Sequence, residues 1–119
     1  MLFRSLTPIT SALPTLQSAA CWIVTAGGYA YVANAASANI TGLNVSETGV
    51  LTLHDTSGVT AVTGAGAADL AVSPDRGYLY SLSGGPHTIT PFAIRADGSL
   101  TAMTALPGAP ASAVGLVAR

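Results

Sequence analysis

The sequence predicts an all-β chain of antiparallel four-stranded units, and three observations carry that prediction. The chain repeats itself at an offset of 49 residues, its turns hold Gly, Pro and Asp at hairpin spacing, and no segment sustains a helical period. The repeat brings Tyr29-Ala30-Tyr31 onto Tyr78-Leu79-Tyr80, Ile40-Thr41 onto Ile89-Thr90, and Gly49-Val50-Leu51-Thr52 onto Gly98-Ser99-Leu100-Thr101. Upstream of the tyrosines the register slips by one, placing Ile23-Val24-Thr25 over Ala71-Val72-Ser73, and a turn is where such a slip belongs.

Each element of the second unit follows from period-two patterning and turn chemistry. Leu70 to Ser73 is a short apolar strand. Pro74-Asp75-Arg76-Gly77 then turns the chain, with Pro at its fixed φ and Gly where φ becomes positive. Tyr78 to Leu82 forms the second strand, Ser83-Gly84-Gly85-Pro86 a loop, and Thr88 to Ile94 the third strand. Asp97-Gly98 is a hairpin turn into a fourth strand, Ser99 to Thr104. The flanks carry partial copies: Ser5-Leu6-Thr7 with Leu13-Pro14 repeats Ser99-Leu100-Thr101 with Leu106-Pro107, and Gly115-Leu116-Val117-Ala118 resembles Trp22-Ile23-Val24-Thr25. A period in this range is that of four-stranded β-propeller blades. The expectation is therefore about two and a half blades of a β-propeller. Residues 1–20 are expected to be the last strand of a preceding blade (residues 5–10) plus a connection, and 21–56 a blade. An inter-blade loop at 57–68, a blade at 69–106, and a loop and first strand of a further blade at 107–119 complete the division. Were the ring closed by pairing strands from the two ends of a parent chain, residues 115–118 would be the closing strand and the chain its C-terminal portion.

Composition narrows the function classes. Half of the 119 residues are apolar and only 8% are charged, against about 25% in ordinary soluble domains. Every basic residue is arginine (Arg4, Arg76, Arg95 and Arg119), and the formal net charge is −1. No basic cluster exists to neutralise a row of phosphates, so nucleic acid is not an expected partner. The lone Cys21 cannot form an internal disulfide. Arg4, Leu6, Ile9, Leu13 and Leu16 ahead of Cys21 imitate an export signal, but Thr7, Pro8, Thr10, Ser11, Pro14 and Gln17 break the apolar run such a signal needs. No run reaches the roughly 20 apolar residues of a membrane span. The scarcity of charge leans toward a periplasmic or extracellular location and leaves a cytoplasmic one open.

Tyr29-Ala30-Tyr31-Val32-Ala33-Asn34 resembles the "YVTN" signature of a propeller family, and Ser73-Pro74-Asp75-Arg76-Gly77-Tyr78-Leu79-Tyr80 resembles its companion "SPDGRYLY" segment. With Ala96-Asp97-Gly98-Ser99-Leu100-Thr101 added, the pattern is similar to the lactonase-type seven-bladed propellers, which include 6-phosphogluconolactonases and carboxymuconate cyclases. The resemblance implies a chain roughly three times longer to close a ring, and therefore partners in the form of missing blades or self-association. Family members often place a His just before the innermost strand of a blade; here the matching positions hold Cys21 and Asp69.

The pocket face of a propeller is built by the loops between second and third strands and by those joining blades, here residues 34–39, 57–68, 83–88 and 106–113. His87, Asp69 and Asn34 are the candidate ligand-binding residues. His87 follows a flexible Ser83-Gly84-Gly85 and Pro86, where an imidazole can serve as a general base or a ligand. Asp69 opens an innermost strand, while Asn34 and Asn39 flank a pocket-side loop. His54 and Asp55 are adjacent at the end of an outer strand, so alternation is expected to point them to opposite faces and to prevent a His–carboxylate pair. Gly64-Ala65-Gly66 opens no helix and so lacks a phosphate cradle. There is no Gly-x-Ser-x-Gly elbow, no zinc spacing and no Asp-x-Asp calcium loop. No catalytic residue, cofactor or metal is assigned. Asn39-Ile40-Thr41 and Asn44-Val45-Ser46 match the glycosylation pattern, and Trp22 with the four tyrosines reads as blade packing. Two functions remain. One is part of a lactone-hydrolysing propeller acting on a sugar lactone such as 6-phosphogluconolactone, this chain alone being inactive. The other is a non-catalytic exported or cell-surface propeller that binds or scaffolds.

Overall fold

The computed structural model describes residues 5–119; Arg4 and the rest of residues 1–4, where the expected first segment begins, lie outside them. Ten strands form two antiparallel sheets, and no helix occurs among the described residues. The first sheet runs β1 (Ala20–Ala26), β2 (Tyr29–Asn34), β3 (Asn39–Val45) and β4 (Leu51–Leu53), with β5 (Ala61–Val62) also pairing with β3. The second repeats it with β6 (Ala67–Val72), β7 (Tyr78–Ser83), β8 (Thr88–Ile94) and β9 (Leu100–Ala102), and β10 (Leu106–Pro107) also pairs with β8. Each sheet is one blade.

The registers correct the slip seen in the sequence. Ile23 faces Val32 across β1 and β2, and Leu70 faces Ser81 across β6 and β7. The true equivalents are thus Ile23 with Leu70 and Trp22 with Asp69, a slip of two residues rather than one. Ala26 remains paired with Tyr29, so only Gly27-Gly28 turn the chain in the first blade, against four residues, Pro74 to Gly77, in the second. Within that longer turn the positive φ belongs to Arg76 (60°) and not to Gly77. The turn closes through Arg76 N–H to Ser73 O at 2.8 Å, and Asp75 accepts from Gly77 N–H at 2.9 Å, which fixes the geometry around Arg76.

The outermost strand of each blade is broken in two. In the first blade β4 and β5 are separated by residues 54–60, and in the second β9 and β10 by residues 103–105. The segment expected as a loop, 57–68, therefore contains β5 and the start of β6. Residues 5–10 and 115–118, expected as strands, carry none. A strand needs a backbone hydrogen-bonded neighbour; Thr10 and Leu116 instead meet the edge strands β4 and β6 through side chains, the Thr10 hydroxyl accepting from Leu51 N–H and the Asp69 carboxylate from Leu116 N–H.

The main core lies between the blades. Ala26, Tyr31, Ala33 and Ile40 of the first pack against Leu70, Leu79 and Phe92 of the second, all buried. Burying each of the large side chains is worth about 1.5–3 kcal/mol. On the other face of the first blade, Ala30, Val32 and Leu43 form a smaller cluster, covered in part by Leu13 of the N-terminal segment.

Candidate functional site

Antiparallel pairing brings the start of each innermost strand beside the end of its neighbour: Ala20 opposite Asn34 in the first blade, Ala67 opposite Ser83 in the second. The loops 35–38, 63–66 and 84–87 therefore gather at one end of the two-blade slab, together with Cys21, Asp69 and His87. A bulge interrupts the pairing near the start of each innermost strand, between Ala20 and Trp22 and between Ala67 and Asp69. A bulge re-aims the side chains beside it. The Cys21 thiol lies 3.4 Å from Ala67 O and 3.6 Å from Ala33 O, so it touches both blades.

The three candidate residues lie at this end but are not joined. Asp69 is buried; its Oδ1 accepts from Leu70 N–H at 2.7 Å and its Oδ2 from Leu116 N–H at 2.6 Å. The carboxylate thus holds the C-terminal segment against the head of β6. His87 is exposed with φ at 54°, and its carbonyl accepts from Ala109 N–H at 3.0 Å. Asn34 is fully buried, and its amide donates to Asn39 Oδ1 at 2.9 Å and Thr41 Oγ at 2.8 Å. Asn39 in turn donates to Gln17 Oε1 at 2.7 Å, and the Thr41 hydroxyl to Gly58 O at 2.6 Å. This network pins the N-terminal segment and the insert to the blade, so Asn34 acts here as a structural group. Its Oδ1, with the hydroxyls of Ser81 and Ser83, is buried without a hydrogen-bond partner among the described residues.

A second polar cluster, at the outer edge, contradicts an expectation. His54 Nδ1 lies 3.0 Å from Asp55 Oδ2, a His–carboxylate pair after all. Strand alternation does not apply because β4 ends at Leu53, and His54 and Asp55 occupy the bend that follows. Thr60 Oγ donates to the same carboxylate oxygen at 2.7 Å and accepts from Gly42 N–H at 2.8 Å. His54 Nε2 reaches Asp97 O in the other blade at 2.7 Å. The Asp55 hydrogen bond, then the Asp97 carbonyl, holds the His54 pKa above its ordinary value. The Thr60 hydroxyl, then His54, holds Asp55 below the usual carboxylate range. Burial pushes the neighbouring Tyr31 phenol up to about 12, so it stays a neutral donor.

That cluster sits beside the contact that locks the blades together. Tyr29 OH donates to Ala96 O at 3.0 Å, and Tyr31 OH to Gly98 O at 2.9 Å. Gly98 has φ 86°, and a Cβ there would lie 2.4 Å from the Tyr29 ring, so both backbone and space demand glycine. The tyrosine roles were not visible in the sequence beyond packing; the coincidence of the Tyr-x-Tyr and Asp-Gly motifs in each repeat was the available signal.

Chemically, the loop end offers one carboxylate, one thiol and one exposed imidazole, with Arg76 and Arg95 in turns at the opposite end of the strands. No group of three or more His, Cys, Asp or Glu that could hold a metal ion occurs among the described residues. Comparison with known proteins places this geometry. The family described as lactonase, seven-bladed β-propeller, matches over residues 20–109. Among solved structures, a functionally unknown protein from Desulfotomaculum acetoxidans superposes with TM-score 0.67 at 22% identity, covering 79% of this chain and 29% of that one. A candidate 6-phosphogluconolactonase from Bacteroides fragilis gives TM-score 0.66 at 25% identity over 73% of this chain and 25% of its own. Its counterpart from Bacteroides uniformis gives 0.57 at 25%, over 69% and 24%. The chain thus spans between a quarter and a third of the first of these structures and about a quarter of the other two. No curated protein matches.

Proposed function

Because the chain belongs to the lactonase family of seven-bladed β-propellers, we propose that it supplies two blades to an enzyme that opens a sugar lactone by hydrolysis, with 6-phosphogluconolactone as substrate. The observation that carries this is the family match over residues 20–109; the two Bacteroides structures named for that activity support the choice of substrate.

The chemistry requires water to attack the lactone carbonyl, a base to take its proton, donors to hold the oxyanion, and protonation of the ring oxygen as the C–O bond breaks. Asp69 is the group this chain offers to the channel end. Its Oδ2 is occupied by the Leu116 amide, and lifting that segment frees it to accept a proton or a substrate hydroxyl. His87 is exposed on the adjoining loop, where it contacts the sugar. Asn34 holds the loop floor. With Arg76 and Arg95 in turns at the opposite end, the substrate phosphate is bound by blades outside this chain, and the chain by itself is inactive.

The test is acid release from 6-phosphogluconolactone above its spontaneous ring opening. The isolated chain is expected to stay at the spontaneous rate and a completed ring to exceed it, with Asp69→Asn lowering that excess by about a hundredfold or more. A completed ring that leaves the lactone at its spontaneous rate overturns the proposal.

A further inference from the structure

The contact that joins the two blades is made of two complementary halves, and the chain carries each half twice. The donor half is the face of the first blade bearing Tyr29, Tyr31, Ala33 and Ile40. By register, its equivalent in the second blade is Tyr78, Tyr80, Leu82 and Ile89. The acceptor half is the face of the second blade bearing Leu70, Leu79 and Phe92, with the Gly98 turn at its edge. Its equivalent in the first blade is Ile23, Ala30 and Leu43, with the Gly49 turn. Gly49 repeats the required conformation, with φ 84° against 86° at Gly98, and the same turn hydrogen bond, Gly49 N–H to Ser46 O at 2.9 Å.

One donor half and one acceptor half are therefore engaged with each other, while the other two meet no blade: Leu82 on one and Ala30 and Leu43 on the other are buried, the latter two with Leu13 packed against them, and the rest of each face is left accessible. On the open donor face Tyr78 is 40% exposed, and Leu106 and Val117 rim a cleft of about 290 Å³ that Tyr80 and Ile89 line. On the open acceptor face Ile23 is 54% exposed, although its equivalent Leu70 is buried. Where the Tyr29 ring crowds Gly98, the corresponding space at Gly49 holds only the end of Ile9, itself largely exposed. The segments lying over the two open halves, around Ile9 and Leu116–Arg119, form no strand.

We propose that these two halves bind each other between copies of this chain, the Tyr78–Tyr80 face of one copy docking on the Gly49 turn and Ile23 face of the next. The occupant is a second copy because the two surfaces repeat the register and turn conformation of the chain's own inter-blade contact, with smaller apolar residues, Ala30 and Leu43, where that contact has Leu79 and Phe92. The contact is heterologous, so it propagates head to tail instead of closing as a symmetric dimer.

Light scattering on the purified chain across a concentration series tests this, using variants at exposed positions that leave the inter-blade core untouched. Wild type is expected to grow from monomer to dimer and larger species. Tyr78→Glu, which spoils the donor, and Ile23→Glu, which spoils the acceptor, are each expected to remain monomeric. Mixed in equal amounts, they are expected to reach about twice the monomer mass and no more, because one intact donor meets one intact acceptor. Circular dichroism establishes that both variants fold; a second pair, Leu106→Glu and Val50→Glu, replaces either one that does not. A wild type that is monomeric throughout overturns the proposal and assigns the faces to neighbouring blades of a longer polypeptide. A mixture that stays monomeric, or variants that associate like wild type, overturns it equally.

Discussion

The two blades share one strand skeleton and differ where their outermost strands break. In the second blade the break falls beside Pro91, which has no N–H to leave unpaired, and three residues suffice to step from β9 to β10. In the first blade the equivalent residue is Gly42, whose N–H would lose its partner. A seven-residue insert supplies one: Thr60 accepts from Gly42 N–H, and its hydroxyl in turn bonds Asp55, which pairs with His54. An unsatisfied backbone donor thus accounts for a polar cluster that its sister blade does not need. The same contrast appears inside: Asn34, Asn39 and Thr41 form a bonded network, where the equivalent face of the second blade has Ser83 with its hydroxyl unpaired.

The largest expected effect breaks the equivalence of the two turns. Gly98→Ala combines an unfavourable φ with a clash against the Tyr29 ring, whereas Gly49→Ala has the same φ problem but meets only the end of Ile9 at 3.0 Å. Denaturant unfolding is expected to show a loss of about 3 kcal/mol for the first and about 1 kcal/mol for the second. Next, Asn34→Ala strands the partners of a buried network and is expected to cost about 2 kcal/mol, while Ser83→Ala removes a hydroxyl with no partner and is expected to be neutral or slightly stabilising. Third, Arg76→Gly relieves the positive φ in the four-residue turn and is expected to raise stability by about 0.5–1 kcal/mol, with the two-residue Gly27-Gly28 turn of the first blade as the unstrained reference.

The smallest effect is a pH dependence from the His54–Asp55 pair, which the second blade lacks. His54 titrates above its unfolded value of 6.5, so what it contributes is complete below that pH and is lost as pH rises through its raised folded value. Asp55 titrates below its unfolded 3.8, so its contribution is complete above that pH and is lost as pH falls through its lowered folded value. The pair therefore stabilises most between these two unfolded values, and His54→Gln is expected to flatten the alkaline limb of a thermal-midpoint profile. An unchanged limb would show that the Asp97 carbonyl contact does not depend on the imidazole charge.

How much of this was legible depended on how local the cause was. The strand at Thr88–Ile94 and the Asp97-Gly98 turn were readable because alternation and turn residues act over a few positions. The two-residue slip was hidden because Ala26 can belong to a strand or a turn, and only its pairing with Tyr29 decides. The His54–Asp55 pair was misread because the end of β4 is set by β3 and by the break at Gly42, not by any punctuating residue. Of the candidate site, Asp69 was placed at the head of an innermost strand, but its bond to Leu116 spans 47 residues and leaves no local trace. The tyrosine lock spans 67 residues and was visible only as two motifs that recur together.

The central claim is that the two blades form one unit through their shared core and the tyrosine lock on the Gly98 turn. Native-state hydrogen exchange at amides of the middle strands, Val32 and Thr41 in one blade and Ser81 and Thr90 in the other, tests it most directly. The account predicts common protection in wild type and a parallel drop in both blades in Gly98→Ala. Protection that persists in one blade while the other opens would contradict it.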